Sequence, residues 1–75
     1  MKNLFAERLS KLLKEEGLSK RGFAAAIGIS SASICDWTNR NIQPSAESIY
    51  LVAEYLHVSA DYLLGLEDES GAKKY

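Results

Sequence analysis

The sequence predicts an all-α domain of five short helices, and three observations carry that prediction. Apolar residues recur at the 3.6-residue spacing of a helix face. Serines at 19, 30, 45 and 59 stand where four of the five apolar runs need an N-cap. No stretch alternates apolar and polar residues as a half-buried strand does, and no internal repeat is present. A chain of 75 residues makes one small domain, whose core stays marginal unless its helices pack efficiently or it self-associates.

The elements follow in order. Phe5, Leu9, Leu12 and Leu13 form the apolar face of a first helix, about Asn3 to Glu16, with Glu7, Arg8, Lys11 and Lys14 placed on its other side and Gly17 as its stop. Ser19 caps a second helix, roughly Lys20 to Ile27, with Phe23 and Ile27 as its stripe. Gly22 inside it implies close approach of some backbone. A third helix spans about Ser31 to Thr38. On a helical wheel Ile34 and Trp37 share one face, while Ala32, Cys35, Asp36 and Asn39 share the opposite one. After the irregular NRNIQP connection, Ser45 caps a fourth helix that ends near Leu56 and buries Ile49, Val52, Ala53 and Leu56. Ser59 caps a fifth, Ala60 to Leu64, closed by Gly65. The buried set is expected to be Phe5, Leu9, Phe23, Ile27, Ile34, Trp37, Ile49, Val52, Leu56 and Leu63. Residues 1–66 are expected to form the domain, and 67–75, EDESGAKKY, a polar tail or the start of a linker.

The junction of the second and third helices is the most informative part of the chain. Ala24 is a small residue where a following helix must cross. Gly28 permits the left-handed turn, and Ile34 is the first residue of the next helix able to reach back into the core. That is the spacing of a helix-turn-helix, whose second helix projects from the body and, in DNA-binding examples, enters the major groove.

Charge is distributed to match. The formal net charge is only −1, but residues 1–27 carry +3, 28–44 balance Arg40 against Asp36, and 45–75 carry −4. A basic first half can face phosphates while the acidic end faces away. One cysteine excludes an internal disulfide, and one cysteine with one histidine cannot assemble a zinc site. No paired carboxylates, nucleophile triad or glycine-rich phosphate loop points to an enzyme. No cofactor or small-molecule ligand is implied. The amphipathic start lacks a signal-peptide pattern and no apolar run is long enough to span a bilayer, so a cytoplasmic location is expected.

LSKRGFAAAIGISSASICDW followed by PSAESIYLVAEYLHVSADYLLG closely resembles the phage repressor/Cro-type helix-turn-helix family, over about Phe5 to Gly65, and is similar to Gram-positive bacterial and prophage repressors. The resemblance implies a five-helix, lambda-repressor-like domain that binds double-stranded DNA as a dimer on an inverted-repeat operator. By position it assigns base contacts to Ser31, Ala32 and Asp36, and phosphate contacts to Lys20, Asn39, Arg40 and Asn41. It also assigns a weak dimer interface to Tyr55, Val58, Tyr62, Leu64 and Leu66.

Some positions depart from the family. Ser31 and Ala32 are short where glutamine or arginine is frequent. Serine bonds any base edge, alanine touches a thymine methyl, and Asp36 accepts from cytosine N4 but repels phosphate. Leu13 and Thr38 stand where many relatives join the first and third helices by an arginine–glutamate pair, and Arg40 stands where a glycine commonly ends the third. A left-handed turn must therefore fall on Asn39, Arg40 or Asn41.

The competing reading is a helix-turn-helix used for protein contacts, as an anti-repressor or adaptor. The short side chains of the third helix and the acidic C-terminal half favour it. Trp37 is read as core, Cys35 as a small outward residue, and His57 as a C-terminal cap. Of Tyr50 and Tyr55, one is expected half-buried and the other available to a partner.

Overall fold

The computed structural model describes residues 4–66. Five helices follow one another: α1 (Leu4–Glu15), α2 (Lys20–Ile27), α3 (Ser31–Asn39), α4 (Ala46–Leu56) and α5 (Ala60–Leu64). Among the described residues there is no strand, and no helix is long and apolar enough to cross a membrane. The tail expected over 67–75 lies outside the described residues.

Local chemistry sets both ends of these helices. The side chains of Ser19, Ser30, Ser45 and Ser59 accept from the amides of Gly22, Ser33, Ser48 and Tyr62. Each such cap is worth about 1 kcal/mol relative to alanine. At the other end, α1, α2, α4 and α5 close on a left-handed residue, namely Gly17, Gly28, His57 and Gly65. The next amide then reaches back five residues: Leu18 to Leu13 (2.9 Å), Ile29 to Ala24 (2.9 Å), Val58 to Ala53 (3.1 Å) and Leu66 to Asp61 (2.8 Å). The donor is apolar in every case, as the Schellman closure favours. His57 thus serves as the cap expected of it, at φ 57°. At Gly65 a Cβ would also lie 2.5 Å from Leu4 Cδ1, so glycine there both turns the chain and lets α5 close on the start of α1. The left-handed turn after α3 falls on Asn41, at φ 56°.

The core draws on every helix: Phe5, Leu9 and Leu13 from α1, Phe23 and Ala24 from α2, Ile34 and Trp37 from α3, Val52 and Leu56 from α4, and Leu63 from α5. Phe5 and Trp37 meet edge to face, ring centroids 5.7 Å apart and planes at 80°. Such a pair contributes about 0.5–1.5 kcal/mol beyond the area it buries. Leu13 is buried, and the Thr38 hydroxyl donates to the Ile34 carbonyl within its own helix (2.9 Å). Neither position therefore leaves an unmatched buried charge, and an apolar side chain in place of a buried ion pair is often neutral or stabilising.

Three expectations need correction. Ile27, Ile49 and Ala53 pack against the core but are only half-buried, because α2 and α4 turn those positions toward its margin. Both Tyr50 and Tyr55 are exposed, although the Tyr55 ring leans edge-on against Phe23, centroids 5.6 Å apart. Arg8, placed on the solvent side by its charge, is 5% exposed. Its guanidinium lies over the Tyr62 ring, 4.4 Å from the centroid, and Nη1 donates to the Tyr62 carbonyl, tying α1 to α5.

Replacing Ile34, fully buried between α1 and α2, with alanine should cost about 2–5 kcal/mol, a large part of a small domain's stability. Urea unfolding measures it, and an unchanged midpoint would contradict the placement of α3.

Candidate nucleic-acid interface

The geometry of the surface follows from how α3 is anchored. Ile34 and Trp37 point inward, so Ser31, Ala32, Cys35 and Asn39 are left exposed and Asp36 half-exposed along the opposite side. The three residues expected to read bases thus share one outward strip of a nine-residue helix. Their spacing is that of one helical face, at 31, 32 and 36. The α2–α3 turn that aims this strip is built as expected. Ala24 is 1% exposed at the crossing, and Gly28, at φ 75°, donates to Ala25 O (3.3 Å).

The residues expected to meet phosphate gather at the C-terminal end of α3. Lys20, at the first position of α2, donates from Nζ to Asn39 Oδ1 (3.3 Å), which bridges the start of one helix and the end of the next. Arg40 donates from Nη1 to Asp36 Oδ1 at 3.3 Å. Asn41 is exposed at the left-handed turn. The backbone holds this corner as well: the amides of Arg40 (3.2 Å) and Ile42 (3.1 Å) both donate to the Asp36 carbonyl. Lys20 and Arg40 therefore each engage a neighbour on the same surface. The Arg40–Asp36 pair, exposed and i,i+4, belongs to the class worth about 0.2–1 kcal/mol.

Gly22 finds its neighbour within the protein. A Cβ there would stand 3.0 Å from the Ser19 hydroxyl oxygen, which is occupied in capping α2. The residues expected at a dimer interface divide into two groups. Tyr55, Leu64 and Leu66 are exposed, whereas Val58 and Tyr62 are half-buried, Val58 against the core and Tyr62 beneath Arg8. On α4, Tyr50 donates its hydroxyl to Glu54 Oε2 (2.6 Å), and this bond raises the phenol above its ordinary pKa. The Asp36–Arg40 and Lys20–Asn39 bonds go beyond what the sequence pattern brings out. The first has a signal there, as an i,i+4 pair, but the second depends on the α2–α3 crossing.

Residues 9–63 match the model of the helix-turn-helix family. The chain belongs to that family. A relative in it, the HTH-type transcriptional regulator YobD of Bacillus subtilis (strain 168), itself uncharacterised, is 30% identical over 70 residues, 93% of this chain. The present chain spans 62% of that protein's length. Among solved structures, a transcriptional regulator from Listeria innocua superposes with a TM-score of 0.78 at 30% identity, over 92% of this chain and 64% of that one. The P22 c2 repressor in complex with a synthetic operator superposes with a TM-score of 0.76 at 25% identity, over 84% of this chain and 96% of that one. Its DNA-binding domain in solution gives a TM-score of 0.75 at 26% identity, over 85% and 86% of the two chains. The five helices of this chain thus form a lambda-repressor-like fold.

Proposed function

We propose that the protein is a DNA-binding transcriptional regulator of the repressor type, which lays α3 in the major groove of double-stranded DNA. The observation that carries this reading is the outward strip of α3 with cations at its end, in a fold shared with a repressor held on its operator. In this reading Ser31, Ala32 and Asp36 meet base edges, and Lys20, Asn39, Arg40 and Asn41 meet the phosphate backbone. Short side chains at 31 and 32 leave much of the sequence discrimination to DNA shape. A use for protein contacts alone is not favoured, because the basic first half of the chain and the Lys20–Arg40 corner suit a polyanion. A cytoplasmic, nucleoid-associated location goes with this role.

The reading includes a weak homodimer on an inverted-repeat operator. One domain covers about half of such a site, and two bind with centres about one helical turn apart. Exposed Leu64, Leu66 and Tyr55 at the α4–α5 end supply apolar surface for the contact, with Val58 and Tyr62 beside them.

Mobility shifts on a duplex selected from a random pool test DNA binding. About three phosphate contacts per subunit, six in a dimer, give a log–log salt slope near −5. Lys20→Ala should flatten it by about 1 per subunit. Absence of any shift at low salt would contradict the reading, and an unchanged slope would remove Lys20 from the interface. Sedimentation at two concentrations, with and without a palindromic duplex, tests the dimer. Two subunits on the duplex and mostly monomer without it are expected, while a single bound subunit would contradict it.

A further inference from the structure

Asp36 and Arg40 are the only acid and the only base between residues 28 and 44, and they are bonded to each other on successive turns of α3. Their 3.3 Å contact joins side chains that are 36% and 72% exposed, so the pair lies open to solvent and to any ligand of this face. The backbone that carries the pair is tied as well. The Asp36 carbonyl takes the amides of Arg40 and Ile42, so the segment that carries Arg40 cannot swing away from Asp36 without breaking the end of the helix. Where DNA approaches, the two groups have opposite preferences: guanidinium seeks phosphate, and carboxylate is repelled by it.

From this geometry, and resting on the DNA-binding reading above, we infer that Asp36 is a specificity-determining residue that acts through Arg40, withholding its charge from phosphate unless a base takes the carboxylate. A phosphate can recruit Arg40 only by separating it from Asp36. The carboxylate is then left uncompensated against a polyanion, with no hydrogen to donate. The groove offers it relief only at an exocyclic amino group, and the N4 amino of cytosine is the donor that acidic side chains accept from. On a sequence without that donor the pair stays closed and the backbone contact is forgone. On one that has it, base contact and phosphate contact form together. Discrimination then comes from suppressing unspecific binding as much as from strengthening the specific complex. This suits a helix whose remaining outward residues, Ser31 and Ala32, cannot make a bidentate base contact.

The test is a double-mutant cycle on random-sequence duplex, with Asp36→Asn, Arg40→Ala and the double variant, each checked for an unchanged melting temperature. Asp36→Asn keeps the shape and removes the charge. It should tighten unspecific binding and steepen the salt slope by about 0.9 per subunit, because the released Arg40 then neutralises one further phosphate. The tightening should therefore be about three- to four-fold larger per subunit at 50 mM than at 200 mM salt. With alanine at position 40 the steepening should vanish, because no restrained cation is left for Asp36→Asn to release. Steepening that persists without Arg40 would mean Asp36 merely repels DNA on its own, and no steepening at all would mean Arg40 is not restrained; either overturns the inference. Failure of the parent and all variants to bind at 50 mM would instead sink the DNA-binding reading itself.

Discussion

The seating of α3 is the constraint on which the other features depend. Ile34 is fully buried and Trp37 nearly so, and the Trp37 ring stands edge-on against Phe5 of α1. A helix of nine residues has little stability of its own and is held by the face it buries. Fixing that face fixes the opposite one. The outward strip of Ser31, Ala32 and Asp36 is a consequence of the core rather than a separate construction. Rotating α3 by one residue would carry Ile34 out of the core and Asp36 toward it.

A second tie keeps the frame closed from the far end of the chain. Arg8 reaches from α1 to the carbonyl and ring of Tyr62 in α5, while Gly65 lets the chain come up against Leu4. The short α5 is thereby fixed to the helix that supports α3. The apolar residues at its end, Leu64 and Leu66, are exposed beside this tie. The charges near the two faces differ: Lys20, Arg21 and Arg40 stand by the ends of α2 and α3, and Glu47 and Glu54 lie on α4.

Much of this is legible in the sequence because it is local. A serine cap needs only its own side chain and an amide three residues on, and a left-handed closure needs only a tolerant residue and an apolar one after it. The five helices, the inward pair Ile34 and Trp37, and the turns at Gly28 and His57 follow from such rules, whereas the left-handed turn after α3 is narrowed only to residues 39–41 and falls on Asn41 in the fold. Arg8 escapes them for the converse reason. Its position three residues after Phe5 puts it on the inward stripe, but its partner is 54 residues away and partly backbone, which side-chain patterning does not reveal. Ile27 and Ile49 lie shallower than their spacing suggests, because periodicity gives a face but not its distance from the centre. The Lys20–Asn39 bond exists only once α2 and α3 cross.

The central claim is that the outward strip of α3, with the corner that joins it to the start of α2, is the surface that meets DNA. Amide chemical-shift mapping of the protein titrated with duplex at low salt tests it most directly. The account predicts that the perturbed amides cluster at Lys20–Arg21 and through residues 31–41, with Glu47, Tyr50 and Glu54 on α4 unmoved. Perturbations centred on α4, with the amides of α3 unshifted, would contradict it.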